Sequence, residues 1–301
     1  MEAVSSISFS RLMRWYIIVI ALLILTTITT VSGVYLFAGK QTFQHVVSFF
    51  QYFIQEEFFN YLLVGIVAQL IDGSLGMAYG VSSTSFLIST GVSPATASAS
   101  VHIAEVFTSG ISGISHWKFG NIDRNMFKKL VIPGAIGAAL GAYFLTSFDG
   151  DLIKPYISVY LLIMGFIILA KAARKTVAFK NYRHMRKLAL LGGFIDASGG
   201  GGWGPVVTTT LIGSGKNQKR TIGTVNAVEF LVALTASGIF TLFIGINSWL
   251  VIAGLIVGGA IAAPIGAYVC HKINVRAAMS VIGLLIIFLS IRTILKSVGI
   301  L

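Results

Sequence analysis

The sequence predicts an all-α polytopic membrane protein made of inverted-topology repeats. Each repeat is a re-entrant helical hairpin plus three transmembrane helices, and one extra helix precedes them. Three observations lead there: the composition, an internal repeat at constant offset, and the placement of Lys and Arg. Hydrophobic residues make up 55% of the 301-residue chain and charged residues 11%, where a soluble domain carries about 25% charged residues. The mean hydropathy is +0.87. A chain of this length cannot hide so much apolar surface from water, so lipid is its solvent. Apolar stretches near the ~20 residues needed to cross a bilayer recur along its length. They are too long and too continuously apolar for a lipid-facing barrel.

The first division, 1–57, opens with Arg11 and Arg14 before an apolar run from Trp15 to Ala38. That run exceeds a signal-peptide core, so it reads as a retained first helix. Over 40–57, Phe43, Val46, Val47, Phe50, Phe53 and Ile54 suit an interfacial segment on the outside. Trp15, Trp117 and Trp249 fall at expected membrane interfaces. The single cysteine, Cys270, rules out a disulfide within the chain.

The repeat comes next. Residues 72–105 align without a gap on 196–229, and ten of 34 positions are identical at an offset of 124. The matches include Asp72/Asp196, Ser74/Ser198, Gly76/Gly200, Gly80/Gly204, Thr84/Thr208 and Glu105/Glu229. The acid pairs carry most weight, because acids are scarce here. Further on, Gly141-Ala142-Tyr143 echoes Gly266-Ala267-Tyr268. Repeat one therefore covers 58–170, a basic loop 171–187, and repeat two 188–301.

Orientation follows from Lys and Arg, which concentrate in cytoplasmic loops. The segment Lys171 to Lys187 holds seven of them. Spans near 155–170, 126–148 and 95–115 lead backward from it, and spans near 221–244, 249–270 and 277–298 lead forward. This places eighteen of the 22 basic residues inside, leaving Lys40, Lys154, Arg292 and Lys296 outside. The N-terminus is then cytoplasmic. The same distribution explains the net charge of +12 without nucleic acid as a partner. Two segments, 58–90 and 188–213, must begin and end on one side. Both are broken centrally by glycine, at 72–80 and 196–204. The arms of the second, at about ten residues, reach roughly 15 Å, half of a ~30 Å hydrocarbon core. Both read as re-entrant hairpins entering from opposite sides. A full crossing by 58–90 is the alternative, and accessibility at Ser93 decides it.

Irregular backbone at membrane depth is tolerated only where protein buries it or water lines it. Two inverted tips meeting at the midplane are a common way to build a transport site. Glycines let successive N–H groups converge, and the second arms aim helix N-termini at the centre, a geometry that favours an anion. The bland reading of each tip alone is close packing. The candidate binding residues are Asp72, Ser74, Gly76, Tyr79, Gly80, Ser82 and Ser83 in repeat one. In repeat two they are Asp196, Ser198, Gly200, Gly201, Gly202, Trp203, Gly204 and Asn226. Asp72 and Asp196 could equally cap backbone N–H groups in the tips.

Of the ten acids, only Asp72, Asp196, Glu105 and Glu229 fall in the membrane core, where a charge costs a few kcal/mol and normally faces a cavity. Withdrawal from water favours a neutral carboxyl, so Glu105 and Glu229 are candidates for proton coupling or gating. His102, three residues before Glu105, shares its helix face, as Asn226 does with Glu229. A structural hydrogen-bonding role is the plainer reading for all of them. Gly199, Gly201 and Gly204 fit G-x-G-x-x-G without its strand–turn–helix context, so a nucleotide is excluded. With no Walker, HExxH or CxxC pattern, neither cofactor nor metal is expected. Gly137-xxx-Gly141 and Gly254-xxx-Gly258 are helix-packing spacings.

The pattern from Asp72 to Glu105, repeated from Asp196 to Glu229, resembles the sulfite exporter TauE/SafE family from about Phe58 to the end. Leu75, Met77 and Ala78 depart from the glycines of repeat two. The resemblance implies a bacterial inner-membrane transporter, not an enzyme, whose substrate is a small sulfur-containing anion such as sulfite or an organosulfonate. With no ATPase motif, coupling to protons or another ion gradient by alternating access is expected. The lack of Lys or Arg in the core leaves a cation or metal transporter as the alternative, with the acids as ligands. A channel would show flux without saturation. An aspartyl protease using Asp72 and Asp196 lacks its G-x-G-D context.

Overall fold

The computed structural model describes residues 56–173, 184–269 and 274–300, with scattered residues between Arg14 and Gln51. Most of the expected helix over 15–38 and of the segment 40–57, together with the loop 174–183 and Cys270, lies outside the described residues. The chain divides into units Met1–Asn60 and Tyr61–Leu301, and the second carries the repeats.

From Glu56 onward the described residues form ten helices and no strand. They are α1 (Glu56–Leu75), α2 (Tyr79–Ser89), α3 (Pro94–Lys118), α4 (Arg124–Thr146) and α5 (Gly150–Ala173). There follow α6 (Met185–Gly199), α7 (Gly204–Gly213, opening with a π turn), α8 (Gln218–Ile244), α9 (Trp249–Val269) and α10 (Val275–Ser297). Six of them, α1, α4, α5, α8, α9 and α10, are long and apolar enough to cross a membrane. With several helices of crossing length, the chain is a multi-pass membrane protein. Trp117 and Trp249 are exposed, which the interfacial placement expected of them requires.

Helix ends follow local chemistry. Ser93 caps α3 by accepting from Thr96 N, with Pro94 in the first turn, and Asn217 caps α8 by accepting from Arg220 N. These caps are repeat-matched, 124 residues apart. Asp123 caps α4, accepting from Asn125 N and Met126 N at 2.9 and 3.0 Å. The 25-residue α3 is too polar to count among the six because it is shielded, packing on α8 and α9.

Helix pairs recur in matched form. The α3–α9 contact has its counterpart in α8–α4, and α4–α6 in α9–α1. Contacts α3–α8 and α5–α10 join helices of equal rank. Small residues allow these approaches. A Cβ on Gly137 or Gly141 would strike the α6 backbone at Leu190 and Phe194, and one on Gly258 the α1 backbone at Leu62. Gly73 and Gly266 face each other, an added Cβ on Gly266 falling 3.0 Å from the Gly73 Cα.

One difference from the sequence reading concerns the breaks. The motifs Asp72-Gly73-Ser74 and Asp196-Ala197-Ser198 are helical, so α1 runs 20 residues and α6 15, or about 30 and 22 Å. The chain leaves the helix only after the acid. α2, with 11 residues, is about 16 Å long. At each tip a longer helix with the acid in its last turn is thus followed, after the break, by a shorter one.

Candidate functional site

Both tips turn on left-handed backbone. In tip one Gly76 has φ 66° and Ala78 φ 89°; in tip two Gly200 has φ 72° and Gly201 φ 141°. Left-handed backbone costs Ala78 about 1–2 kcal/mol that a glycine avoids; in tip two both left-handed residues, Gly200 and Gly201, are glycines. The acids explain why the turns hold. Asp196 Oδ1 accepts from Gly202 N at 2.8 Å and Trp203 N at 2.9 Å. At the matched position the Tyr79 backbone N–H faces the Asp72 carboxyl. The capping role is therefore filled.

The two tips meet, and their contacts are reciprocal. A Cβ added to Gly80 would lie 2.8 Å from the Gly201 Cα, and one on Gly204 2.6 Å from the Met77 Cβ. Gly76 sits against Thr208, and Gly200 against the matched Thr84. Thr208 Oγ1 donates to Gly76 O at 2.6 Å. The tip aromatics cross over in the same way. Trp203 fits a hollow left by Gly134, where a Cβ would meet its ring at 2.8 Å. Tyr79 lies over the corresponding Gly259, its hydroxyl 3.5 Å from such a Cβ. Both rings are fully buried; Tyr79 Oη donates to Leu255 O and Trp203 Nε1 to Val225 O, each at 3.4 Å.

Buried polar groups gather around this crossing. Asp72, Glu105, Asp196 and Glu229 are the buried acids among the described residues, and no described Lys or Arg is buried with them. His102 Nε2 stands 3.3 Å from Asp196 Oδ2, and Ser109 Oγ donates to Glu229 Oε2 at 3.4 Å. The Gly80 Cβ position is 3.2 Å from Glu105 Oε1. Asp72 Oδ2, Glu105 Oε2, Ser83 Oγ and Thr84 Oγ1 are buried without a hydrogen-bond partner, a costly state for polar atoms. His102, Glu105 and Asp196 each offer a ligand atom within 4.8 Å of the others. Other candidates act locally. Ser74, Ser82 and Ser198 donate to Ile71 O, Ala78 O and Phe194 O of their own hairpins.

Three residues outside the repeat motif bond to the tips directly, and a fourth, Asn121, orients one of them. His116 Nε2 donates to Gly73 O at 3.1 Å, and Asn121 Nδ2 donates to His116 Nδ1 at 3.0 Å. Tyr160 on α5 donates to Gly201 O. Lys171, in the last turn of α5, donates to Pro205 O at 2.8 Å and to Thr209 Oγ1. It thus satisfies a carbonyl in the π turn.

Known proteins resemble this chain along most of its length. A family model described as Sulfite exporter TauE/SafE matches residues 61–293. The "Probable membrane transporter protein YtnM" of Bacillus subtilis (strain 168) is 44% identical over 246 residues, covering 78% of this chain and 82% of that one. No solved structure gives a significant match. With two matched hairpin tips crossing among four buried acids, and the family pattern running from Tyr61 to Thr293, the chain belongs to the TauE/SafE family of membrane transporters.

Proposed function

We propose that this protein moves small sulfur-containing anions, such as sulfite or organosulfonates, out of the cell across the inner membrane, driven by an ion gradient. The observation that carries the reading is the crossing of the two tips, where unpartnered hydroxyls and helix N-termini converge. The first turn of a helix has N–H groups without intrahelical acceptors. Asp196 occupies those of Gly202 and Trp203. This leaves Gly80 and Val81 of α2, and Gly204 of α7, to face an anion together with Ser83 and Thr84. Tips packed this closely leave the cargo no room until they part, which suits alternating access.

The reciprocal contacts support a two-fold relation between the repeats. With the basic residues concentrated in one set of loops, that axis lies in the membrane plane, the topology is inverted, and the N-terminus is cytoplasmic. The hairpins, each with one short arm, are then re-entrant. Glu105, Glu229 and His102 gate the tips, and the acids gather the coupling cation.

Thermal stabilisation of the purified chain across sulfite, thiosulfate, sulfoacetate, taurine and sulfate tests the substrate class. Saturable stabilisation by a sulfur anion, weakened in Thr84→Val, is expected. Indifference to all five removes the reading.

A further inference from the structure

The repeats diverge at one chemically telling place. His102 on α3 stands where α8 has Asn226. Asn226 is satisfied by its neighbours: Nδ2 donates to Ile222 O at 3.1 Å, and Oδ1 accepts from Ser112 Oγ at 3.0 Å. His102 is not closed off in this way. Its Nδ1 lies 2.7 Å from the Ser98 carbonyl oxygen, which only accepts, so Nδ1 carries the hydrogen. Nε2 is left as the working end of the ring, 3.3 Å from Asp196 Oδ2.

That separation is long for a charge-assisted N–H···O bond, which closes to about 2.7–2.9 Å. It matches two ligands sharing one tetrahedral ion, which stand roughly 3.3 Å apart when each bond is about 2.0–2.1 Å. The supporting shell is in place. A ligating imidazole usually donates its other N–H to a carbonyl, and a ligating carboxylate is itself hydrogen-bonded. Ser98 O does the first, and the Gly202 and Trp203 N–H groups do the second by holding Asp196 Oδ1. Glu105 supplies the third group. It is buried, its Oε2 has no hydrogen-bond partner, and its ligand atom lies within 4.8 Å of the other two, a separation that binding an ion would close to about 3.3 Å.

We propose that His102, Glu105 and Asp196 hold a divalent transition-metal ion of the Zn²⁺ class. One imidazole and two carboxylates suit such an ion. Three protein ligands leave a fourth position open, where a sulfite or sulfonate oxygen can bind. The ion then supplies the positive charge that no Lys or Arg provides, letting an anion sit among four acids. The ion site stands whatever the cargo is; its role as counter-charge rests on the anion reading above. Among the described residues the second repeat, with Asn226 satisfied by its neighbours, offers no matching site, so this site takes one ion.

Cobalt(II) is the probe, because it absorbs in the visible when held by imidazole and carboxylate. The purified full chain in detergent should show such bands, saturating at one equivalent and displaced by Zn²⁺, with a Zn²⁺-dependent rise in Tm. His102→Gln and Glu105→Gln should weaken binding beyond the roughly 10–100-fold typical of losing an outer-shell partner, while Gly238→Ala should bind as the parent does. A monodisperse parent protein with neither bands nor a Tm rise overturns the proposal, whether or not the variants fold. Bands unchanged in a folded His102→Gln protein also overturn it. Sulfite flux measured on the same preparations keeps the two readings apart: flux without metal binding removes the ion alone, and metal binding without flux removes the anion cargo alone.

Discussion

Replacing Gly80 with alanine tests the tip contact most sharply. The new methyl would lie 2.8 Å from the Gly201 Cα, 3.2 Å from Glu105 Oε1 and 3.4 Å from Gly200 O. Carbon atoms in favourable contact stand about 3.5–4.0 Å apart, so the tips must part by roughly 1 Å. The obstructing atom belongs to backbone, at a glycine already holding φ 141°, so it yields poorly. Overpacking of this kind costs about 1–3 kcal/mol, more than the helix-propensity gain of roughly 0.5–1 kcal/mol from Gly to Ala. The right reference is Gly238→Ala on α8, where nothing lies within 4 Å of the added Cβ and only the propensity gain remains. Thermal unfolding in detergent reads the difference. A loss of about 1 kcal/mol lowers Tm by roughly 2–4 °C in a chain of 150–250 residues, so Gly80→Ala should melt several degrees below Gly238→Ala. Closed tips should also be depopulated about 5- to 150-fold, since every 1.4 kcal/mol is tenfold, with a matching loss of flux. Equal Tm and equal flux in the two variants would refute the crossing.

Further outcomes follow from other contacts. Asp196→Ala strands the Gly202 and Trp203 N–H groups, at about 1–3 kcal/mol each, whereas Asp196→Asn keeps an acceptor; the asparagine protein should melt well above the alanine one. Trp203→Phe and Gly134→Ala should couple by about 0.5–3 kcal/mol in a double-mutant cycle, because the methyl occupies space the smaller ring vacates. Removing the Tyr160 hydroxyl as Tyr160→Phe costs a hydrogen bond worth about 1 kcal/mol, seen as a small Tm drop with the fold intact. Replacing Asn121 with alanine leaves the buried His116 Nδ1 unpartnered, at about 1–3 kcal/mol, so its Tm should fall further than that of Tyr160→Phe.

Much of this site is legible in sequence because duplication writes it twice. The four acids, the tip glycines and the caps Ser93 and Asn217 stand at one offset, so scarcity and repetition single them out. The breaks are misjudged by a few residues because Asp196 caps from inside the last helical turn, where a carboxylate can reach forward to Gly202 and Trp203. No composition rule marks Ala78 as left-handed; its neighbours force the turn. His116, Tyr160 and Lys171 are hidden for a different reason. Each binds a backbone carbonyl 34 to 43 residues away, and a carbonyl has no residue signature. The sockets at Gly134 and Gly259 are visible only once Trp203 and Tyr79 are seen across the repeat. Asp196 lies 94 residues from His102, so the metal-ligand spacing that short motifs advertise is absent.

The central claim is that the crossed tips carry a sulfur anion through the membrane. Its most direct test is flux of ³⁵S-labelled sulfite and sulfoacetate into proteoliposomes, with the parent chain beside Gly80→Ala and Glu229→Gln. The account predicts saturable flux that depends on an imposed ion gradient and falls in both variants. Flux that rises linearly with concentration, or that both variants leave untouched, would contradict it.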